Sequence, residues 1–136
     1  MKNIPLVCFA LLLVVAFSKY ANAAFDGSSP LLCVPIEVME CGANEGCFET
    51  TAEFVNIPQF IRIDFQKKTA SGTLTDGAVR EVGIERMERE NGMIVIQGGQ
   101  QGRGWSATVG EETGKMTLTA SGERFGFIIF GVCTSP

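Results

Sequence analysis

The sequence predicts an all-β fold: a small antiparallel meander closing into an up-and-down barrel of seven or eight strands, with a β-sandwich as the alternative. Three observations carry that reading. Short apolar or alternating runs recur about every ten residues, with Gly, Asn-Gly or Asp-Gly signals between them. Residues 115–121 alternate strictly, placing Met116, Leu118 and Ala120 on one face and Thr117, Thr119 and Ser121 on the other. Residues 125–133 are apolar on both faces apart from their glycines, as a central or barrel-closing strand would be.

The chain ahead of this domain has a different character. Lys2 gives a positive start, residues 6–17 are unbroken apolar, and Ala21-Asn22-Ala23 has the small-x-small form of a signal-peptidase site. The apolar run is 12 residues, short of the ~20 that a spanning helix needs. Cys8 lies inside that run after Val7, which does not suit lipidation. Residues 1–23 are therefore expected to be a cleaved signal peptide, residues 24–30 a short disordered N-terminus, and residues 31–136 a single β domain. No membrane anchor is expected to remain after cleavage, and the location is periplasmic or secreted.

Lys2 and Lys19 leave with the signal peptide, so nine basic and fifteen acidic side chains remain, a net charge of −6. That charge opposes nucleic acid and anionic membrane surfaces as partners. A mature chain of this size forms one core and benefits from staples. Cys33, Cys41, Cys47 and Cys133 supply them, because exported chains meet an oxidising compartment. Four cysteines allow three pairings. Cys41 and Cys47 flank the polar stretch Gly42-Ala43-Asn44-Glu45-Gly46, which suits a tight loop and a local bridge. Cys33 and Cys133 then join the first strand to the last. The irregular spacing and the absence of histidine fit zinc poorly.

Residues 31–40 read as the first strand. Pro35 removes a ladder donor there, so the strand is either an edge or bulged. Residues 48–54 are a weaker candidate. Residues 60–65 are the clearest strand, with Ile61, Ile63 and Phe65 on one face and Arg62 and Asp64 on the other. Lys67-Lys68 turns, residues 69–74 return, and Asp76-Gly77 turns again. Residues 79–90 are ambiguous: Val82 and Ile84 keep strand phase and Met87 breaks it, so either a short helix or a bulge fits. Asn91-Gly92 before the run Met93-Ile94-Val95-Ile96-Gln97 is a strong hairpin signal, because both turn positions need positive φ. Residues 105–109 form a further strand, and the loop 110–114 leads to the alternating run.

The chemistry is marked by what is missing. Without histidine there is no Ser-His-Asp or Cys-His arrangement. Disulfide-bonded cysteines are not nucleophiles. A carboxylate pair built on Asp64 is conceivable chemistry, but strand carboxylates that face outward are ordinarily solvated. The glycines at 98, 99, 102 and 104 lack the Lys-Ser/Thr of a phosphate loop and precede a strand, so they read as a bulged or flexible hairpin turn. Gln100, Gln101, Arg103 and Trp105 form a candidate binding surface at a barrel mouth, although a lone Trp in a small barrel more often plugs its bottom. Glu85, Arg86, Glu88, Arg89 and Glu90 read as a solvated face with weak ion pairs, or as a protein-binding edge.

The segments Pro30-Leu31-Leu32-Cys33, Glu40-Cys41, Arg62-Ile63-Asp64-Phe65, Gly102-Arg103-Gly104-Trp105-Ser106 and Phe130-Gly131-Val132-Cys133 resemble an uncharacterised family of small exported proteobacterial proteins. The resemblance covers nearly all of the mature chain and implies a Gram-negative periplasm, but no activity. In architecture the chain is also similar to the periplasmic inhibitors of c-type lysozyme. Ser71-Gly72 would stand for the Ser-Gly of their inhibitory loop, but the following Tyr and the later aromatic-Lys-Gly segment are absent, so no site is carried over.

The expected function is non-enzymatic: an exported envelope protein that binds a macromolecular partner, with no cofactor and no metal. Two alternatives accompany it. One is a lipocalin-like carrier of a small hydrophobic ligand, which needs a lumen left open by small inward residues such as Ala107 and Ala120. The other is an inhibitor of a hydrolase such as lysozyme, acting through an exposed loop at residues 97–103.

Overall fold

The alternation and the turn signals resolve into ten antiparallel strands and no helix among residues 25–136, the part of the chain that the computed structural model describes. The expected signal peptide, residues 1–23, lies outside the described residues. The strands are β1 (Leu31–Gly42), β2 (Gly46–Thr50), β3 (Ile61–Asp64), β4 (Thr69–Thr73), β5 (Val79–Gly83), β6 (Arg86–Glu90), β7 (Met93–Gln100), β8 (Arg103–Gly110), β9 (Lys115–Ser121) and β10 (Phe125–Thr134).

They form one sheet in the order β5-β4-β3-β1-β10-β9-β8-β7-β6, with β2 beside β1. The sheet curls into a half-barrel. Most sequence neighbours pair, as in an up-and-down meander, but β3 returns to β1 past the β1–β2 hairpin, β5 and β6 end the strand order on opposite sides, and β1 pairs with β10. There are ten strands where seven or eight were expected, partly because residues 79–90 divide in two. The Ile84 N–H donates to the Lys68 carbonyl at 2.8 Å, and the Glu85 N–H to the Gln97 carbonyl at 2.9 Å. Between those two residues the chain stops pairing with β4 and starts pairing with β7. This change of partner breaks the apolar phase, so neither a helix nor a simple bulge forms there.

Pro35 marks a bulge and not an edge. The β1–β10 register slips between Pro35 and Glu37, and Ile36 is left out of the ladder. On its other side β1 pairs with β3 through Leu31–Cys33 and with β2 through Val38–Gly42, so no partner strand is recorded opposite Pro35. The missing N–H therefore falls where that side of the ladder is empty. The bulge also explains a glycine. A Cβ on Gly131 would collide with the Val34 carbonyl oxygen and the Met116 methyl.

Asn91 and Gly92 turn the β6–β7 hairpin with φ of 52° and 75°, as their dipeptide predicts. Gln101 and Gly102 do the same between β7 and β8, with φ of 51° and 76°. The hairpin turn expected among these glycines is present as the tight pair Gln101-Gly102, while Gly98 and Gly99 are paired strand residues of β7.

Both expected disulfides are present, Cys33–Cys133 and Cys41–Cys47. Cys33 and Cys133 sit opposite each other in the β1–β10 register, and Cys41 and Cys47 in the β1–β2 register. Disulfides persist in an oxidising, non-cytoplasmic setting. No helix of the described residues is long and apolar enough to cross a membrane. Residues 25–30 form no strand, but their start is tied down. The Phe25 N–H donates to the Glu111 carbonyl at 2.9 Å, and the Phe25 ring packs on the core.

The core fills one end of the half-barrel. Leu31, Cys33, Ile63, Ile94, Ile96, Val109 and Met116 are its best-buried members. Toward the other end the inward rows change character. Along β9 they run Met116, Leu118, Ala120; along β8, Val109, Ala107, Trp105, Arg103; along β7, Ile94, Ile96, Gly98, Gln100. Large aliphatic groups give way to small, aromatic or polar ones, and the interior is left partly open.

Candidate functional site

A cavity of about 170 Å³ occupies that open end. Its walls come from four places. β8 and β9 give Trp105, Leu118 and Ala120. β10 gives Phe125 and Phe127. β3, β4 and β5 give Ile61, Ala70 and Val82. The β2–β3 loop gives Val55, Ile57 and Pro58. The polar lining is sparse: Ser71, Arg80, Gln100, Gln101, Arg103 and Ser121.

The β2–β3 loop is itself built to stand as a wall. The Phe54 N–H donates to the Thr51 hydroxyl at 3.2 Å, and the Ile57 N–H to the Ala52 carbonyl at 2.8 Å. Asn56 takes a left-handed φ of 58°. Arg80 reaches from β5 to donate through Nη1 to the Asn56 carbonyl at 2.7 Å, fixing loop to sheet.

Trp105 is the residue that defines the site. It packs against the core from the cavity side and is neither fully buried nor free. The expected alternatives, a plug at the bottom and a surface at the mouth, merge: the indole is the floor between filled core and open cavity. Its Nε1 is completely buried and has no hydrogen-bond acceptor. An unsatisfied buried donor costs roughly 1–3 kcal/mol, and this one is sealed off by the packing around the indole.

Arg103 lies at the mouth with its Cζ 5.0 Å from the centre of the Phe125 ring, a cation–π contact. Phe125 in turn packs against Phe127 with ring centres 5.4 Å apart and the two planes tilted by 59°. The Gln100 side-chain amide donates to the Glu81 carbonyl at 3.4 Å, linking the β7–β8 hairpin to β5. Gln100, Gln101, Arg103 and Trp105, singled out from the sequence, therefore all line one cavity. Sequence reading missed Arg80, Phe125, Phe127 and the β2–β3 loop, because only the curl of the sheet brings them across from β8.

Against protein-family models, curated proteins and solved structures the chain has no match. The site must be read from its own chemistry.

Asp64 serves the β3–β4 turn. It is buried, and its Oδ1 accepts the Lys67 N–H at 3.0 Å, closing the β3–β4 turn. Among the described residues no three His, Cys, Asp or Glu side chains gather as a metal site. Ser71 and Gly72 lie in β4 opposite Arg62 and Arg80, within the sheet and not on a projecting loop.

Four of the five charged residues, Arg86, Glu88, Arg89 and Glu90, lie in β6, an end strand of the sheet whose residues are all exposed. Arg86 pairs with Glu88 at 2.6 Å along the strand. Arg89 pairs with Glu111 of the β8–β9 loop at 2.7 Å. The Arg89 guanidinium bond holds the Glu111 carboxyl below its ordinary range, and Glu111 holds Arg89 above its own. Near the N-terminus, the Ser28 hydroxyl and backbone N–H lower the Asp26 carboxyl in the same way.

Proposed function

We propose that this is a non-enzymatic exported protein, periplasmic or released from the cell, that holds a small and mostly apolar ligand in the half-barrel cavity. One observation carries the reading: a cavity of about 170 Å³ at the open end of the half-barrel, walled mainly by apolar groups such as Ile61, Val82, Trp105 and Leu118. Ligand sites characteristically combine apolar walls with a few placed polar groups. A bound apolar molecule would fill the void against the Trp105 ring.

Trp105 is the only tryptophan in the chain, so its emission reports on the site without a label. Titration with 1-hexanol should shift that emission and raise the melting temperature. Mass spectrometry of the exported protein, native against denatured, should reveal a species that leaves on unfolding. A bare monomer whose Trp105 ignores small apolar probes would sink the reading.

A specific feature favours a second reading, a macromolecular partner. The outer face of β1 and β10 carries an apolar stripe in which Val34 faces Val132 and Met39 faces Ile128, with Ile36 and Phe130 beside them. Ile36 is 70% exposed and Phe130 42%. Exposed contiguous apolar surface of this kind marks contact sites. Phe130→Asp should abolish a cross-link to an envelope partner in intact cells, if that stripe makes the contact. Inhibition of a lysozyme is the special case, and a direct activity assay with c-type lysozyme tests it.

A further inference from the structure

The mouth of the cavity holds more positive charge than the composition leads one to expect. Residues 24–136 carry fifteen carboxylates against nine basic side chains. A basic group in such a chain has many acidic partners within reach. The two ion pairs among the described residues nevertheless leave out both arginines of the cavity, since they join Arg86 to Glu88 and Arg89 to Glu111. Arg80 spends one donor on the Asn56 carbonyl and keeps the rest of its fork. Among the described residues the Arg103 guanidinium makes only its face contact with Phe125, which leaves its N–H edge open. Both arginines line the apolar cavity and also a second hollow that shares part of its wall. Glu40 is the one acidic residue on that hollow, so the three formal charges there sum to +1 in a strongly negative protein.

We propose that the cavity takes a small monocarboxylate. Its apolar body lies against Leu118, Ile61, Val82 and the Trp105 ring, and its carboxylate meets Arg80 and Arg103 at the mouth. The proposal rests on the ligand-site reading above and specifies its chemistry. Guanidinium forks match carboxylates in shape and donate charge-assisted bonds about twice as strong as neutral ones. Apolar walls below an unpaired cationic rim complement an anion with an apolar tail, and suit a neutral or cationic molecule less well. Size narrows the class. A cavity of ~150 Å³ accommodates benzene, so 170 Å³ admits one aromatic ring or a chain of about six carbons. Two-chain lipids are far too large.

The test is a matched set of probes, hexanoate, 1-hexanol and hexylammonium, titrated against the oxidised protein with Trp105 emission and isothermal calorimetry as readouts. Hexanoate should bind about tenfold or more tightly than 1-hexanol, with hexylammonium weakest. Arg103→Gln, which removes a side chain that makes no hydrogen bond among the described residues, should weaken hexanoate about fivefold or more and move 1-hexanol less than twofold. Arg103→Lys should restore part of the difference. Equal binding of hexanoate and 1-hexanol would overturn the proposal and leave the apolar-ligand reading standing. A hexanoate preference that survives in both Arg103→Gln and Arg80→Gln would overturn the assignment to these arginines. Silence toward all three probes would overturn both readings.

Discussion

The six-membered ring of Trp105 lies directly on the backbone of Gly98, its cross-strand partner between β7 and β8. A Cβ at position 98 would come within 2.7 Å of the indole and 2.5 Å of the Gly83 carbonyl oxygen. Position 98 is thus where the ring, β7 and the end of β5 converge, and only a hydrogen fits between them.

Gly98→Ala should therefore cost about 1–3 kcal/mol as an overpacked site and displace the indole from the cavity wall. Urea denaturation and a changed Trp105 emission maximum would register both effects. Gly104→Ala is the matched control, since its added Cβ would meet nothing nearer than the Ser121 hydroxyl at 4.0 Å. That control should stay within about 0.5 kcal/mol of the parent. Equal effects at the two positions would contradict the packing described.

The two disulfides should differ in worth. Cys33–Cys133 spans 100 residues and Cys41–Cys47 spans 6. Chain entropy assigns them roughly 4.7 and 2.2 kcal/mol respectively. Cys33 and Cys133 are also buried in the core, whereas Cys47 is exposed. The Cys33→Ala/Cys133→Ala variant should lose considerably more stability in denaturant than Cys41→Ala/Cys47→Ala. The reverse order would show that the local hairpin, and not the closure of first strand on last, limits unfolding.

Glu111 gathers three separate segments. Its side chain pairs with Arg89 of β6, its N–H donates to the Gly92 carbonyl, and its carbonyl accepts the Phe25 N–H. The Glu111 carboxyl titrates below its ordinary value of 4.5 in the folded protein. A depressed carboxyl stabilises the fold above the unfolded-state value, and that stabilisation is lost as pH falls through the folded-state value. The gap between parent and Arg89→Gln in denaturation midpoint should be present at neutral pH and close below about pH 4.5. A gap that stays constant into strong acid would mean that Arg89 acts through packing instead.

Asp64 should behave as a turn residue. Removing its acceptor in Asp64→Ala leaves the Lys67 N–H without its partner and should cost about 0.5–1.5 kcal/mol. Asp64→Asn keeps an oxygen in place and should recover most of that loss. Thermal melts of the pair decide the matter; identical melts would remove the hydrogen bond from the account.

Strand periodicity, turn chemistry and cysteine spacing are local properties, and they determined much of this protein. Alternation over residues 60–65 and 115–121 places strands, because the side-chain period of an extended chain is two. Asn91-Gly92 places a hairpin, because few residues other than Asn and Gly accept positive φ at both positions. A short polar loop between Cys41 and Cys47 and an export-like leader are enough to suggest the disulfide pairing. Gln100, Gln101, Arg103 and Trp105 stood out because charged and aromatic groups among glycines mark a surface.

The curl of the sheet was decided only in three dimensions. Ile84 and Glu85 divide their backbone bonds between β4 and β7, and no local pattern encodes which two strands an irregular dipeptide will bridge. That single crossing brings β5 up to β7, sets Arg80 facing the same cavity as Arg103, and carries the β2–β3 loop across as a wall. It also separates Ala107, buried in the core, from Ala120, beside open space, although the sequence offers them as equals. Local residue preferences choose strand and turn, but whether an inward side chain meets a neighbour or a void depends on contacts between segments far apart in the chain.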